Sequence, residues 1–260
     1  MKVLSIANFK GGTGKTVTAC NFAAILAEEG HRVLLIDADP QHNASTFFGA
    51  GDTDAPTLFD VLSGYCEPVA EDNLSPAGRE NLEILPGDMR LLQLDLAAIA
   101  DGSSEAVRRF RDFLDALRDD GEIETVIIDC PPSFTAASVA ALLESDDVIM
   151  PTRVDAFSRD GVTELIQQIR NIGKTAAGLR FSVLVTMANR TNLSRQGAQL
   201  LRQSGLPVMG IEIREAVAVG ESTYVRQPLI DYAPRATATM DYRAAVKEYL
   251  QEVKNYGEAV

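Results

Sequence analysis

The sequence predicts an α/β fold: a single doubly wound, mostly parallel sheet with helices on both faces, built by one domain over residues 1–260. Three observations predict it. Short apolar runs recur along the chain and read as strands buried on both faces, the pattern of a helix-covered parallel sheet. Helical segments alternate with these runs from end to end, as in one doubly wound unit. A glycine cluster follows the first run and opens the first helix.

The elements follow in order. Val3 to Ala7 is an apolar strand that ends at the glycines. Residues 14–29 have helical character and stop at Gly30, a helix-terminating glycine. Val33 to Ile36 is a second buried strand, closed by Asp37, Ala38, Asp39 and Pro40. Residues 57–63 read as a short helix, and Leu82 to Leu85 as a third strand before Pro86 and Gly87. Residues 104–119 form a helix with Ser103 or Ser104 as cap. Thr125 to Ile128 is a strand. Helix 135–144, strand 147–150, helix 158–172, strand 181–187, helix 194–204 and a last helix over 237–254 complete the alternation. Residues 64–81, with Gly64, Pro68, Pro76 and Gly78, read as an excursion that is either functional or a plain surface loop.

Composition narrows the classes. The chain has no apolar run of membrane-spanning length and no secretory signal pattern at its start. Cys20, Cys66 and Cys130 lie far apart without a CxxC pair, which predicts a reduced chain with no disulfide framework. The net charge of −13 is unevenly spread: residues 1–150 carry 10 basic and 26 acidic side chains, residues 151–260 carry 14 and 11. Residues 165–211 hold Arg170, Lys174, Arg180, Arg190, Arg195 and Arg202 and no carboxylate. Two readings stand for this stretch: a solvated surface, or a patch that faces an anion. Arg195 and Arg202 are seven apart and share a helix face; with Arg214 and Arg226 they are the candidate residues of such a patch, which would bind DNA if the anion is a nucleic-acid phosphate.

Residues 10–16 read KGGTGKT between a strand and a helix, the context of a phosphate-binding loop. Glycines let backbone N–H groups approach phosphate oxygens, and the helix N-terminus favours the same anion. Lys15 would bridge the β- and γ-phosphates and Thr16 would place its hydroxyl on Mg²⁺. The usual pattern has glycine at position 9, where this chain has Phe9, and a second lysine, Lys10, stands at the loop's start. Two lysines exceed what one γ-phosphate needs in one subunit, so Lys10 could reach a nucleotide held by a facing subunit. Asp37 and Asp39 end one buried strand and would alternate faces if the strand ran on; Asp129 ends another and fits an aspartate near Mg²⁺.

KGGTGKT at 10–16, LLIDADPQHN at 34–43 and TVIIDCPPS at 125–133 together resemble the ParA/Soj family of P-loop ATPases with a deviant Walker A motif. TLFDVL at 57–62 and LEILPGD at 82–88 resemble the same family, and the likeness runs to about residue 252. The resemblance implies roles. Lys10 matches the lysine that crosses an ATP-sandwich dimer. Gly11, Gly12, Thr13, Gly14, Lys15, Thr16 and Val17 match the phosphate cradle. Asp39 matches the residue that orients the attacking water, so Lys10, Lys15 and Asp39 form the catalytic set. Thr16, Asp37 and Asp129 match the surroundings of Mg²⁺. Asn189 resembles the residue that meets the adenine, with Pro207 and Val208 packed nearby. Arg214 lies in a late motif that often has a second arginine two residues on, where this chain has Ala216.

Implied with the family are ATP and Mg²⁺ as cofactors, weak and partner-stimulated ATP hydrolysis, an ATP-bound homodimer, non-specific double-stranded DNA and a ParB-like adaptor. The implied location is the cytoplasm, on the nucleoid, without a membrane. Plasmid or chromosome partition, or the positioning of another cargo, is the expected task. The alternative is a MinD-like membrane-surface ATPase, whose amphipathic tail the acidic residues after 245 do not match; an ATP-dependent metabolic ligase is a third. Cysteines suited to an Fe–S carrier are lacking, and the early loop leaves no room for an N-terminal helix-turn-helix domain.

Overall fold

A computed structural model of the chain describes residues 1–50, 55–66, 74–101, 105–154, 158–172 and 178–257. The strands are β1 (Lys2–Ile6), β2 (Val33–Asp37), β3 (Ser75–Arg79), β4 (Leu82–Leu85), β5 (Thr125–Asp129), β6 (Asp147–Arg153), β7 (Arg180–Ala188) and β8 (Val208–Arg214). They form one sheet in the order β3-β4-β2-β5-β1-β6-β7-β8. All neighbours run parallel except the β3–β4 pair. The chain builds outward from β1 in both directions, so the crevice beyond the C-terminal end of β1 is a topological switch point.

The helices are α1 (Lys15–Glu28), α2 (Asn43–Phe47), α3 (Leu58–Ser63), α4 (Leu91–Asp101), α5 (Glu105–Asp120), α6 (Ala136–Leu143), α7 (Ser158–Ile172), α8 (Asn192–Gln203), α9 (Val217–Tyr224), α10 (Leu229–Tyr232) and α11 (Thr237–Gly257). Strand periodicity sorts them into two layers. Leu34, Ile36, Val126 and Ile128 share one core with residues of α3, α5, α6 and α7. Val33, Leu35 and Ile127 point the other way, into a core with α1 and α11. Alpha-1 is enclosed on nearly every side from Thr18 to Ala27. Its Phe22 lies between the rings of Tyr242 and Tyr249, each 6.4 Å away; truncating such a ring to alanine costs about 3–5 kcal/mol.

Several expectations change. The excursion over 64–81 contains β3, an antiparallel edge strand. Its Pro76 and Gly78 read as loop, yet an edge strand tolerates both. Residues 67–73, and the caps expected at Ser103 or Ser104, lie outside the described residues. Helix α8 starts two residues before expectation because the Thr191 hydroxyl accepts the Ser194 N–H and caps it there. Elements α2, α4, β8, α9 and α10 join those expected from sequence.

Candidate functional site

The loop between β1 and α1 is held from three sides. Asn8 is buried; its amide donates to the Pro151 carbonyl at 2.8 Å, and its Oδ1 accepts the Lys10 N–H at 3.0 Å. Phe9 sets its ring edge-on to Phe134, 4.4 Å between centroids. The Thr186 hydroxyl, near the end of β7, donates to the Thr13 carbonyl at 2.8 Å. Gly12 and Gly14 adopt φ of 71° and 88°, which strains any L side chain. Gly14 caps α1 with no side-chain hydrogen bond, so the helix presents open N–H groups to the loop. Lys15 is buried there and donates to the Lys10 carbonyl at 3.2 Å. Burial lowers its pKa, against the raising effect of Asp129, Asp39 and Cys130. The Lys10 residue is exposed, as are Gly11 and Gly12.

Beneath this loop the two strand-end acids meet. Asp37 and Asp129 are register partners on adjacent strands, and both are fully buried. Asp37 Oδ2 accepts the Ser45 N–H at 2.8 Å and the Ser45 hydroxyl at 2.7 Å, while Oδ1 accepts the Asp39 N–H at 3.2 Å. Burial still pushes Asp37 up to about 6, against the Ser45 and Asp39 hydrogen bonds. No hydrogen bond of good geometry reaches either oxygen of Asp129, although the Thr16 hydroxyl stands beside it. Burial, then the Asp37 charge, push its carboxyl well above the usual range; the Thr16 hydroxyl and the Lys15 ammonium act the other way. An open, buried carboxylate beside a threonine hydroxyl is an oxygen donor set suited to a hard divalent cation such as Mg²⁺. Asp37, already bonded three times, does not offer the same opening.

The expectation that Asp37 and Asp39 alternate along one strand is corrected. Strand β2 stops at Asp37 and the chain turns, so half-buried Asp39 accepts the Gln41 N–H at 2.9 Å. Sequence reasoning missed Ser45 and the part Gly87 plays: the Gly87 N–H donates to Ser45 Oγ at 3.0 Å. A Cβ on Gly87 would lie 2.4 Å from the Asp37 carbonyl oxygen. The glycine after Pro86 in the 82–88 motif was the available signal.

An apolar cavity of about 390 Å³ adjoins the loop, lined by Val17, Met187, Ile213, Ala216 and Val219 beside Gly14. Its walls suit a flat aromatic base. Asn189 stands past the end of β7, exposed, its amide donating to Glu215 at 3.3 Å. Pro207 and Val208 are not brought to this place. They line a separate cavity with Asp147 and Tyr249 at the other end of β8. Seven residues of strand put that end about 20 Å away.

The arginines also sort differently in space than in sequence. Arg202 pairs with Glu212 at 2.7 Å and Arg180 with Asp147 at 2.5 Å. Arg214 is bidentate to Asp241, at 2.8 and 2.6 Å. Arg170 lies over the Phe181 ring at 5.8 Å. Arg195 donates to the Arg190 carbonyl at 2.8 Å, and among the described residues neither arginine meets a carboxylate. Arg226 lines a polar cavity of about 570 Å³ with Arg79 and Asp231, apart from the glycine loop. Lys174 lies outside the described residues. The face expected to carry free cations is thus partly neutralised by acids that stand outside the acid-free stretch.

Most apolar residues of the last helix turn inward: Val246 and Tyr249 are buried, Leu250 and Val253 pack on the same core, and Met240 is exposed. Among the described residues no helix is long and apolar enough to cross a membrane.

Comparison with known proteins places the site in context. A family model described as an AAA domain matches residues 1–181. The chain is 36% identical to the chromosome partitioning protein ParA of Caulobacter vibrioides, over 98% of this chain and 96% of that one. It is 31% identical to the sporulation initiation inhibitor protein Soj of Bacillus subtilis, over 95% and 97%. Among solved structures, cobyrinic acid a,c-diamide synthase of Mycobacterium smegmatis, with a bound ATP analogue and magnesium, superposes with a TM-score of 0.79. The identity there is 26%, over 98% of this chain and 96% of that one.

Proposed function

The chain belongs to the ParA/Soj family of P-loop ATPases, and on that premise we propose that it is an ATP-driven partition switch working as one unit over residues 1–260. ATP joins two subunits, the dimer holds non-specific duplex DNA on the nucleoid, and hydrolysis stimulated by a ParB-like adaptor releases it. The backbone from Gly11 to Gly14 and the open end of α1 cradle the phosphates. Lys15 exchanges its bond to the Lys10 carbonyl for the stronger, charge-assisted bond to phosphate. Thr16 and Asp129 hold Mg²⁺, with Asp37 behind them; when bound, the ion neutralises charge that develops on the phosphate oxygens. Asp39 orients the attacking water, and Lys10 reaches the partner's phosphates. The base enters the cavity of Met187, Ile213 and Val219, which replaces Pro207 and Val208 in that role; Asn189 bonds Glu215 of the cavity wall.

The observation that carries this reading is the buried Asp129 carboxylate without a hydrogen bond. A group in that state is costly in the empty protein and gains most from a bound cation. The test is binding of a fluorescent ATP analogue with and without Mg²⁺. Wild type should require Mg²⁺ for tight binding and Asp129→Asn should lose that dependence. Retention on non-specific duplex, with ATP against ADP, tests the DNA arm. The membrane-surface alternative draws no support from α11, whose apolar face is already in the core.

A further inference from the structure

Two carboxylates that share a register position are treated differently: Asp37 accepts three hydrogen bonds and Asp129 none. One residue accounts for most of the difference. Ser45, on the short helix α2, is fully buried and gives Asp37 Oδ2 both its N–H and its hydroxyl proton. Its hydroxyl oxygen also accepts the Gly87 N–H. A hydroxyl has a single proton, so the polarity of the chain Gly87 to Ser45 to Asp37 is set. Gly87 sits too close to the Asp37 carbonyl for any side chain, which fixes the turn that supplies this N–H.

We propose that Ser45 is a positioning residue of the cation site: it holds Asp37 against the Gly87 turn, so that the Asp129 carboxylate is the one left open to a divalent cation. Ser45 touches neither phosphate nor cation and acts through Asp37. The inference rests on the nucleotide reading above and assigns the division of labour between its two acids. Without the hydroxyl, Asp37 loses a charge-assisted bond and Gly87 loses a buried acceptor. Asp37 is then free to turn onto Asp129 and close the opening left for the ion.

The experiment titrates Mg²⁺ against binding of a non-hydrolysable fluorescent ATP analogue, with a parallel series in EDTA and melting curves for each variant. Ser45→Ala should raise the Mg²⁺ needed for half-maximal binding by about tenfold, the usual effect of removing an outer-shell partner. Binding in EDTA should stay at the wild-type level. Ser45→Thr keeps the hydroxyl and should restore the wild-type requirement, with Ser45→Cys as a smaller replacement if the added methyl disturbs folding. In an Asp37→Asn background, Ser45→Ala should add nothing to the Mg²⁺ requirement. An unchanged requirement in a folded Ser45→Ala protein overturns the proposal. So does an equal loss of binding in Mg²⁺ and in EDTA, the mark of a merely structural residue. A wild-type protein indifferent to Mg²⁺ overturns the nucleotide reading itself.

Discussion

The ends of β1, β2 and β5 differ from the β7–β8 side of the sheet in how they handle charge. At the first, polar groups are buried and left open: Asp129 has no hydrogen bond, α1 starts on an uncapped glycine, and Lys15 bonds its own loop's carbonyl. At the second, arginine heads lie at the surface and two of them are matched, Arg202 with half-buried Glu212 and Arg214 with buried Asp241. An unsatisfied buried polar group costs about 1–3 kcal/mol, and more when charged. An exposed ion pair contributes about 0–1 kcal/mol. The first region is therefore committed to one kind of ligand. At the second, the Arg202–Glu212 pair can exchange its carboxylate for a phosphate at little cost and with little selectivity, whereas Arg214 is tied to a buried acid.

The sharpest way to break this contrast is at Lys15. Lys15→Ala should abolish ATP binding, whereas Lys10→Ala should keep much of it and lose ATP-dependent dimerisation, read by sedimentation. A Lys10→Ala protein that still dimerises with ATP would sink the role across the interface. On the arginine side the expected effect is graded. If a dimer neutralises about six phosphates, log K falls against log salt with a slope near −5, so a fourfold rise in salt weakens DNA binding about a thousandfold. Arg195→Ala together with Arg202→Ala should flatten that slope, and Glu212→Gln, which releases Arg202, should strengthen retention. No retention with ATP at about 50 mM salt would leave the exposed pairs as plain surface.

Asp39→Ala should bind ATP, accumulate as dimer and hydrolyse at least about tenfold more slowly, roughly 1.4 kcal/mol in the barrier; unchanged turnover would take the role from Asp39. The smallest effect concerns the empty protein. Burial raises both strand-end carboxyls, Asp37 to about 6. The folded chain therefore holds protons that an unfolded chain releases near pH 4. Stability from this source is complete below that pH and is lost as pH rises through about 6 and beyond. Melting temperature of the nucleotide-free protein should decline over that window. Asp129→Asn, which cannot ionise, should decline less and melt higher at neutral pH. A steeper decline in the variant would contradict the open-acid description.

What was legible in the sequence follows the same division. Strands β1, β2 and β5 announce themselves because burial on both faces leaves mostly apolar residues, and the loop because its geometry demands glycine at 12 and 14. Local chemistry writes those signals. Strand β3 was hidden because an edge strand can carry Pro76 and Gly78, and α2 because five residues are too few for a helical period. The arginine partners were hidden for another reason. Glu212 stands just past the acid-free stretch and Asp147 lies 33 residues before Arg180, so a count along the chain cannot see them. Pro207 and Val208 stand apart from the cavity beside Gly14 because a strand's two ends share a sequence segment and not a place.

Phe9 stands where a phosphate loop usually begins with glycine, and its ring rests on Phe134 in the segment between β5 and α6. Such a contact is worth about 0.5–1.5 kcal/mol, small enough to yield and large enough to be felt. Lys10 is the next residue. Any relaxation of the segment after Asp129 must therefore either drag the start of the glycine loop with it or slip past the ring. The pair is a mechanical link, inside one chain, between the segment that follows a strand-end acid and the residue at the head of the glycine loop.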